Sequence, residues 1–181
     1  MAFADIGLFK NQLAFNLDQS RLDARGGLKS DGGMINPVDA RINPGARLVR
    51  YCIAEYPPKG PGRWWLLEEH YNLIDQQARA YGVPTASLVR EHCCVSTDWP
   101  GMTWRIVCEV TAPLRCYKGT SNRAFRGGKV HYDGKMGAEL GVIQLYIPGL
   151  DDAALFRSAM KVISENYVPI QESRALEFPA P

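Results

Sequence analysis

The sequence predicts an α+β fold, on three observations. Residues 67–81 carry a strong helical period, residues 103–110 alternate cleanly as a strand, and residues 141–147 form a second apolar strand, with no internal repeat. The 181-residue length suits one domain able to bury its own core. Hydrophobic residues at 46% and charged residues at 22% exclude a disordered composition. A net charge of +2 and a pI near 8.3 are too mild to require nucleic acid or an anionic membrane as partner. No apolar run approaches the roughly 20 residues of a spanning helix, so membrane insertion is not expected. The start Met-Ala-Phe-Ala-Asp-Ile-Gly lacks a basic patch followed by an apolar stretch. A cytoplasmic location, or delivery into a target cell without a cleaved signal, is the expectation.

In chain order, residues 3–17 are expected to form a short helix carrying Leu8, Phe9, Leu13 and Phe15. Gly26-Gly27, Gly32-Gly33, Pro37 and Pro44 then interrupt any period over 18–46, which reads as an irregular arm. The division is thus 1–46 as helix and arm and 47–181 as a single α+β domain. Its first strand is Arg47 to Ile53, followed by the turn-rich Pro57 to Gly62 and by Arg63-Trp64-Trp65-Leu66. In the helix 67–81, Leu67, Tyr71, Ile74, Ala78 and Tyr81 share one face, and Gly82 and Pro84 end it. A short helix is expected at 84–93. In the strand 103–110, Trp104, Ile106, Cys108 and Val110 face one way. Residues 113–138, rich in basic residues, Gly and turn formers, read as a loop. After the strand 141–147, Asp151 or Asp152 caps a final helix with Leu155, Phe156, Ala159, Met160 and Ile163 on its apolar face, and 166–170 forms a last strand.

The five cysteines, at 52, 93, 94, 108 and 116, are odd in number and sit mostly in apolar segments, which points to buried thiols rather than a disulfide framework. No Cys-x-x-Cys pair is present, and no metal is expected. Phosphate-loop, dinucleotide-loop, nucleophile-elbow and His-Glu-x-x-His motifs are absent. Histidine occurs only at 70, 92 and 131, which restricts any imidazole general base, although a Cys–His hydrolase stays open.

Three features carry chemical interest. Arg50 lies within an apolar strand, either facing water from an edge or meeting a specific anion with its planar fork. Trp64 and Trp65 follow a Pro/Gly turn and are either core residues or an aromatic wall for a flat ring; strand alternation sends at least one inward. Gln144 sits mid-strand among apolar neighbours, as a structural bridge or as a preorganised polar handle.

In this order, Arg50, Gly62-Arg-Trp-Trp-Leu66 with its helix, and Gln144 resemble the ADP-ribosyltransferase superfamily, and the Gln-Leu-Tyr strand is similar to its NAD glycohydrolase toxin branch. The resemblance covers about residues 47–150. It implies a compact fold of two small packed antiparallel or mixed sheets with flanking helices, and NAD as a substrate cleaved at the nicotinamide–ribose bond. ADP-ribose would pass to water or to a protein or nucleic-acid acceptor, and an immunity-type inhibitor is an implied partner. Arg50 and Gln144 are the implied catalytic pair, with Arg50, Tyr51, Trp64, Trp65, Tyr71 and Arg126 against the cofactor. The second strand has no Ser-Thr-Ser and Gln144 has no Glu-x-Glu nearby, which turns the expectation away from transfer to arginine. Two other readings remain. One is a nucleic-acid module using the basic stretch 115–135 with Tyr117, Phe125 and Tyr132 as stacking surfaces. The other is a non-catalytic protein-interaction domain presenting Trp64 and Trp65.

Overall fold

A computed structural model describes residues 9–15, 17–27, 32–52, 61–95, 102–126 and 129–169, without the side chains of 17, 125, 126 and 129–131. The architecture is α+β. Seven strands, β1 (Met34–Ile42), β2 (Arg47–Cys52), β3 (Trp64–Leu67), β4 (Trp104–Val110), β5 (Leu114–Ser121), β8 (Gln144–Tyr146) and β9 (Met160–Tyr167), form one sheet in the order β1-β5-β8-β3-β2-β4-β9. Every neighbouring pair is antiparallel. A separate hairpin joins β6 (Ala124–Arg126) to β7 (Lys129–Tyr132). The helices are α1 (Leu17–Ala24), α2 (Glu68–Tyr81), α3 (Thr85–His92), α4 (Lys135–Glu139) and α5 (Ala153–Ala159).

Strand alternation divides the core between the two faces of the sheet. Leu48, Trp65, Ile106, Leu114, Leu145 and Phe156 belong to one buried cluster. Val49, Leu66 and Val107, each one residue along from a member of the first, pack with Tyr71, Ile74 and Ala78 of α2 and Leu88 and Val89 of α3. The predicted face of α2 is therefore buried over 71–78, while Tyr81 emerges 62% exposed at its end. Gly82, in the left-handed region at φ +67°, stops that helix. All five cysteines are free thiols. No helix among the described residues is long and apolar enough to cross a membrane.

Where two small sheets are expected, the strands join into a single sheet, but its centre is narrow. β2 and β3 pair only through Leu48 with Leu67 and Val49 with Leu66. Beyond Val49 the two strands diverge, although β2 continues along β4 to Cys52 and β3 continues along β8 to Trp64. This fork positions the site described below.

Three expectations are corrected. The segment read as an irregular arm contains β1, an edge strand paired with β5. Its burial pattern of Met34, Pro37 and Ile42 has no period of two because a bulge lies between Ile35 and Val38, where Asn36 takes φ +45°. The basic stretch is not a loop but β5, the β6–β7 hairpin and α4. Leu114 and Cys116 of β5 alternate into the core, and Arg115 between them is neutralised by Asp39 of β1. The last helix ends at Ala159, and Met160 is already extended, so Ile163 belongs to β9 rather than to a helical face. The helix expected at 3–17 lies partly outside the described residues; within them, a 3-10 turn spans Gln12–Ala14.

Asp152 caps α5 as expected, accepting hydrogen bonds from the backbone N–H groups of Ala154 and Leu155, both at 2.8 Å. Replacement of Asp152 by Ala should cost about 1 kcal/mol. Thermal unfolding should show this as a fall of roughly 3 °C in Tm.

Candidate functional site

The fork between β2 and β3 is hydrogen-bonded by a side chain rather than by a strand. Carbonyl groups alternate in direction along β3. The Arg63 carbonyl accepts from Ile147 N–H, next to β8, so the Trp64 carbonyl faces β2. Backbone pairing no longer reaches it there, and Arg50 Nη1 donates to it at 2.9 Å. The guanidinium lies against Gly62, where a Cβ would overlap it, and 5.9 Å from the centre of the Trp65 ring. Only glycine at 62 leaves room for this placement.

The Arg50 side chain is half-buried, with its guanidinium turned inward. Among the described residues no carboxylate forms an ion pair with it, and Nε is enclosed without a hydrogen-bond partner. Burial pulls its pKa below the ordinary guanidinium value, against the smaller opposing fields of Cys52 and Asp151. A cation drawn partly out of water without an ion-pair partner is costly. An anion placed against it recovers charge-assisted hydrogen bonds.

Arg50 lines a cavity of about 780 Å³, within the size range of small-molecule and cofactor sites. Its walls come from β2, the Pro61–Leu66 entry into β3, Gln144 and Tyr146 of β8, the end of α3, and the glycine turns at 26–27 and 32–33 beyond α1. Four of those glycines adopt positive φ, and a Cβ at Gly33 would meet the Gly26 backbone nitrogen.

Five of the seven residues singled out in the sequence therefore share one cavity: Arg50, Tyr51, Trp64, Trp65 and Gln144. Trp65 is the inward member of its pair. It is 2% exposed, stacks on Phe156 at 6.2 Å, and donates Nε1–H to the Gly62 carbonyl at 2.7 Å. Trp64 is half-buried and meets Tyr146 edge-on at 5.0 Å. Tyr71 does not line the cavity. It stands behind Tyr51, 6.4 Å between ring centres, where its hydroxyl accepts from Arg105 Nη1 at 2.8 Å. The side chain of Arg126 lies outside the described residues.

Gln144 is buried, and both of its N–H donors are used. One meets the Cys93 carbonyl at 3.1 Å and the other Ser121 Oγ at 2.5 Å. Ser121 O–H in turn donates to the His92 carbonyl.

A second charged group stands at the cavity, and no local feature of the chain marks it. Arg63 donates Nε–H to Asp151 at 2.8 Å and Nη1–H to the Tyr146 hydroxyl at 3.0 Å, and lies 3.7 Å from Asp23. Tyr146 O–H donates to Asp23 at 3.1 Å. The Asp151 hydrogen bond raises the Arg63 pKa, and the same contact lowers that of Asp151. Arg63 lies within Gly62-Arg-Trp-Trp-Leu66, but nothing local marks Asp23 and Asp151 as its neighbours or Ser121 as the partner of Gln144.

The competing chemistries fare differently. Burial pushes the thiols of Cys94, Cys108 and Cys116 up to about 12 and that of Cys93 upward as well, which keeps them protonated and poor nucleophiles. Of the proposed base-stacking residues, Tyr117 and Tyr132 are 3% and 6% exposed and offer no platform to a nucleic acid, and the side chain of Phe125 lies outside the described residues. Within the basic stretch, Arg115 is bound to Asp39 and Lys135 to Asp133.

No family model and no curated protein matches the chain. Among solved structures, the chain is similar to one described as "Rhs1-CT in complex with cognate immunity protein RhsI1", with a TM-score of 0.49 and 8% identity, over 86% of this chain and 98% of that one.

Arg50→Met should lower thermal stability, because it keeps most of the volume but strips the Trp64 carbonyl of its donor, at a cost of about 1–3 kcal/mol. Inorganic pyrophosphate at ten times its Kd should raise the Tm of the parent by roughly 4 °C. It should leave Arg50→Met unmoved, as read by thermal-shift titration.

Proposed function

We propose that the cavity binds NAD and cleaves its nicotinamide–ribose bond, with water as the acceptor. The observation that carries the reading is the meeting of Arg50 and Gln144, from distant parts of the chain, on the walls of one cavity of dinucleotide size, with Tyr51 and Trp64 beside them. Arg50 supplies an uncompensated positive charge for the diphosphate. Tyr51 and Trp64 supply aromatic surface for the nicotinamide ring. Gln144 supplies a rigid acceptor for a ribose hydroxyl.

The chemistry needs little more than this. The bond between ribose C1′ and the nicotinamide nitrogen breaks with its electron pair going to that nitrogen, so a cationic ring leaves neutral. The ribose gains oxocarbenium character, as in glycoside cleavage. A water oxygen bonds to C1′ and releases one proton, giving ADP-ribose. Holding the diphosphate and the ribose in fixed relation lowers the barrier chiefly by orientation. The Gln144 carbonyl contributes a dipole fixed before the reaction begins.

Nicotinamide release and free ADP-ribose, followed without any macromolecular acceptor, test the reading. Gln144→Ala should lower kcat by about 10²-fold or more. Arg50→Ala should act mainly on KM, raising it about 10- to 100-fold through loss of charge-assisted bonds to the diphosphate. Absence of nicotinamide release by the parent protein would remove the proposal. Equal release by all three proteins would keep the activity and discard this site.

A further inference from the structure

We infer that Ser121 is the positioning residue of the site, and that position 144 works only with a neutral side chain that donates inward and turns an acceptor oxygen toward the ligand. The inference rests on the NAD-cleaving reading of the cavity and assigns it a residue from β5.

The hydrogen bonds around Gln144 leave no freedom of direction. Helix α3 closes with Cys94 in the left-handed region at φ +49°; Cys94 N–H bonds the Glu91 carbonyl and Val95 N–H the Arg90 carbonyl. The His92 and Cys93 carbonyls, the next two in the chain, receive no backbone N–H among the described residues. A backbone carbonyl can only accept. The Ser121 proton is therefore spent on the His92 carbonyl, and Ser121 Oγ meets Gln144 as an acceptor. The second Gln144 N–H is spent on the Cys93 carbonyl. Both amide donors are consumed inside the protein, which identifies the nitrogen end of the carboxamide without ambiguity.

Oε1 has no donor among the described residues, although Gln144 is buried and its side chain borders the cavity. Position 144 can thus accept from a ligand hydroxyl and can donate nothing. The arrangement also explains why glutamine rather than glutamate stands here. An ionised carboxylate would set one oxygen against the Cys93 carbonyl and leave Ser121 with two acceptors for one proton. Ser121 is packed for this task. It is fully buried, and Gly137 of α4 lies close to both its hydroxyl and the His92 carbonyl, where a Cβ would collide with the latter.

Four proteins compared for nicotinamide release, KM and Tm test the inference: the parent, Ser121→Ala, Gln144→Glu, and Val110→Ala as a core truncation at the end of β4 away from the cavity. Ser121→Ala should lower kcat about 3- to 10-fold through the loss of one orienting hydrogen bond, with KM for NAD within about twofold of the parent. Val110→Ala should lose Tm and keep kcat. Gln144→Glu should be nearly inactive at pH 8 and regain activity toward acid as its carboxyl protonates and can donate to the Cys93 carbonyl; the parent shows no such acid rise. Unchanged kcat in Ser121→Ala, parent-like activity of Gln144→Glu at all pH values, or an equal kcat loss in Val110→Ala would overturn the inference while leaving the NAD-cleaving reading intact. A parent that releases no nicotinamide would overturn both.

Discussion

A sheet whose two halves share only two residue pairs has to close the wedge that opens beyond them. In this protein the closure is a guanidinium. Arg50 donates to the Trp64 carbonyl that strand pairing leaves behind, and Gly62 yields the space its side chain needs. Extending the ladder by backbone pairing would satisfy the same carbonyl without burying a charge. The fork instead retains a cation with Nε unsatisfied and, among the described residues, no carboxylate paired to it. Natural interiors tolerate such groups where something else is gained. In the proposed reading the gain is a positive point for an anion on the wall of a cavity framed by the sheet.

The two charged arginines of the cavity divide its wall by electrostatic character. Arg63 is already neutralised by Asp151 and approached by Asp23, and it ties the Tyr146 hydroxyl into the same network. That network fastens α1 to the entry of β3 and to β8, so it is a structural clasp as well as a cavity wall. Arg50, by contrast, donates to the Trp64 carbonyl but pairs with no carboxylate among the described residues. A ligand with one compact anionic centre is matched to this pattern. A polyanion such as a nucleic-acid backbone would face two carboxylates on entering, which agrees with the burial of the tyrosines once considered as stacking surfaces.

The parts legible in the sequence were those governed by local rules. The periodic face of α2, the alternation of β4, the cap at Asp152 and the inward turn of one tryptophan all follow from neighbours a few residues apart. The candidate site was legible because Arg50 and Gln144 are polar residues in apolar strands, and such residues need partners whatever the fold. Features set by pairing across the chain were hidden. β1 lost its alternation to the bulge at Asn36, and β5 looked like a basic loop because Asp39, which neutralises Arg115, lies far away in sequence. Tyr71 was placed correctly on its helix, yet the position of Tyr51 in front of it depends on how α2 crosses the sheet. Ser121 carries no local signal at all, since a serine at the end of a strand gains meaning only when the end of α3 arrives beside it.

In the proposed reading, Gln144 holds a structural role and a chemical role at once. Capping the last carbonyls of α3 requires donors, and the Gln144 nitrogen supplies one to the Cys93 carbonyl and another to Ser121 Oγ, whose own proton reaches the His92 carbonyl. Meeting that requirement orients the group completely, because its oxygen has to point away from the carbonyls that its nitrogen faces. The register of β8 between β3 and β5, with Leu66 and Gly119 as the neighbours of Gln144, brings this end of the strand beside the helix terminus. An acceptor held in this way is already ordered when a ligand enters, so little conformational entropy is lost on meeting a hydroxyl. The same hydrogen bonds that complete the helix end therefore preorganise the site, and the cost of burying an amide is met by the fold before any ligand binds.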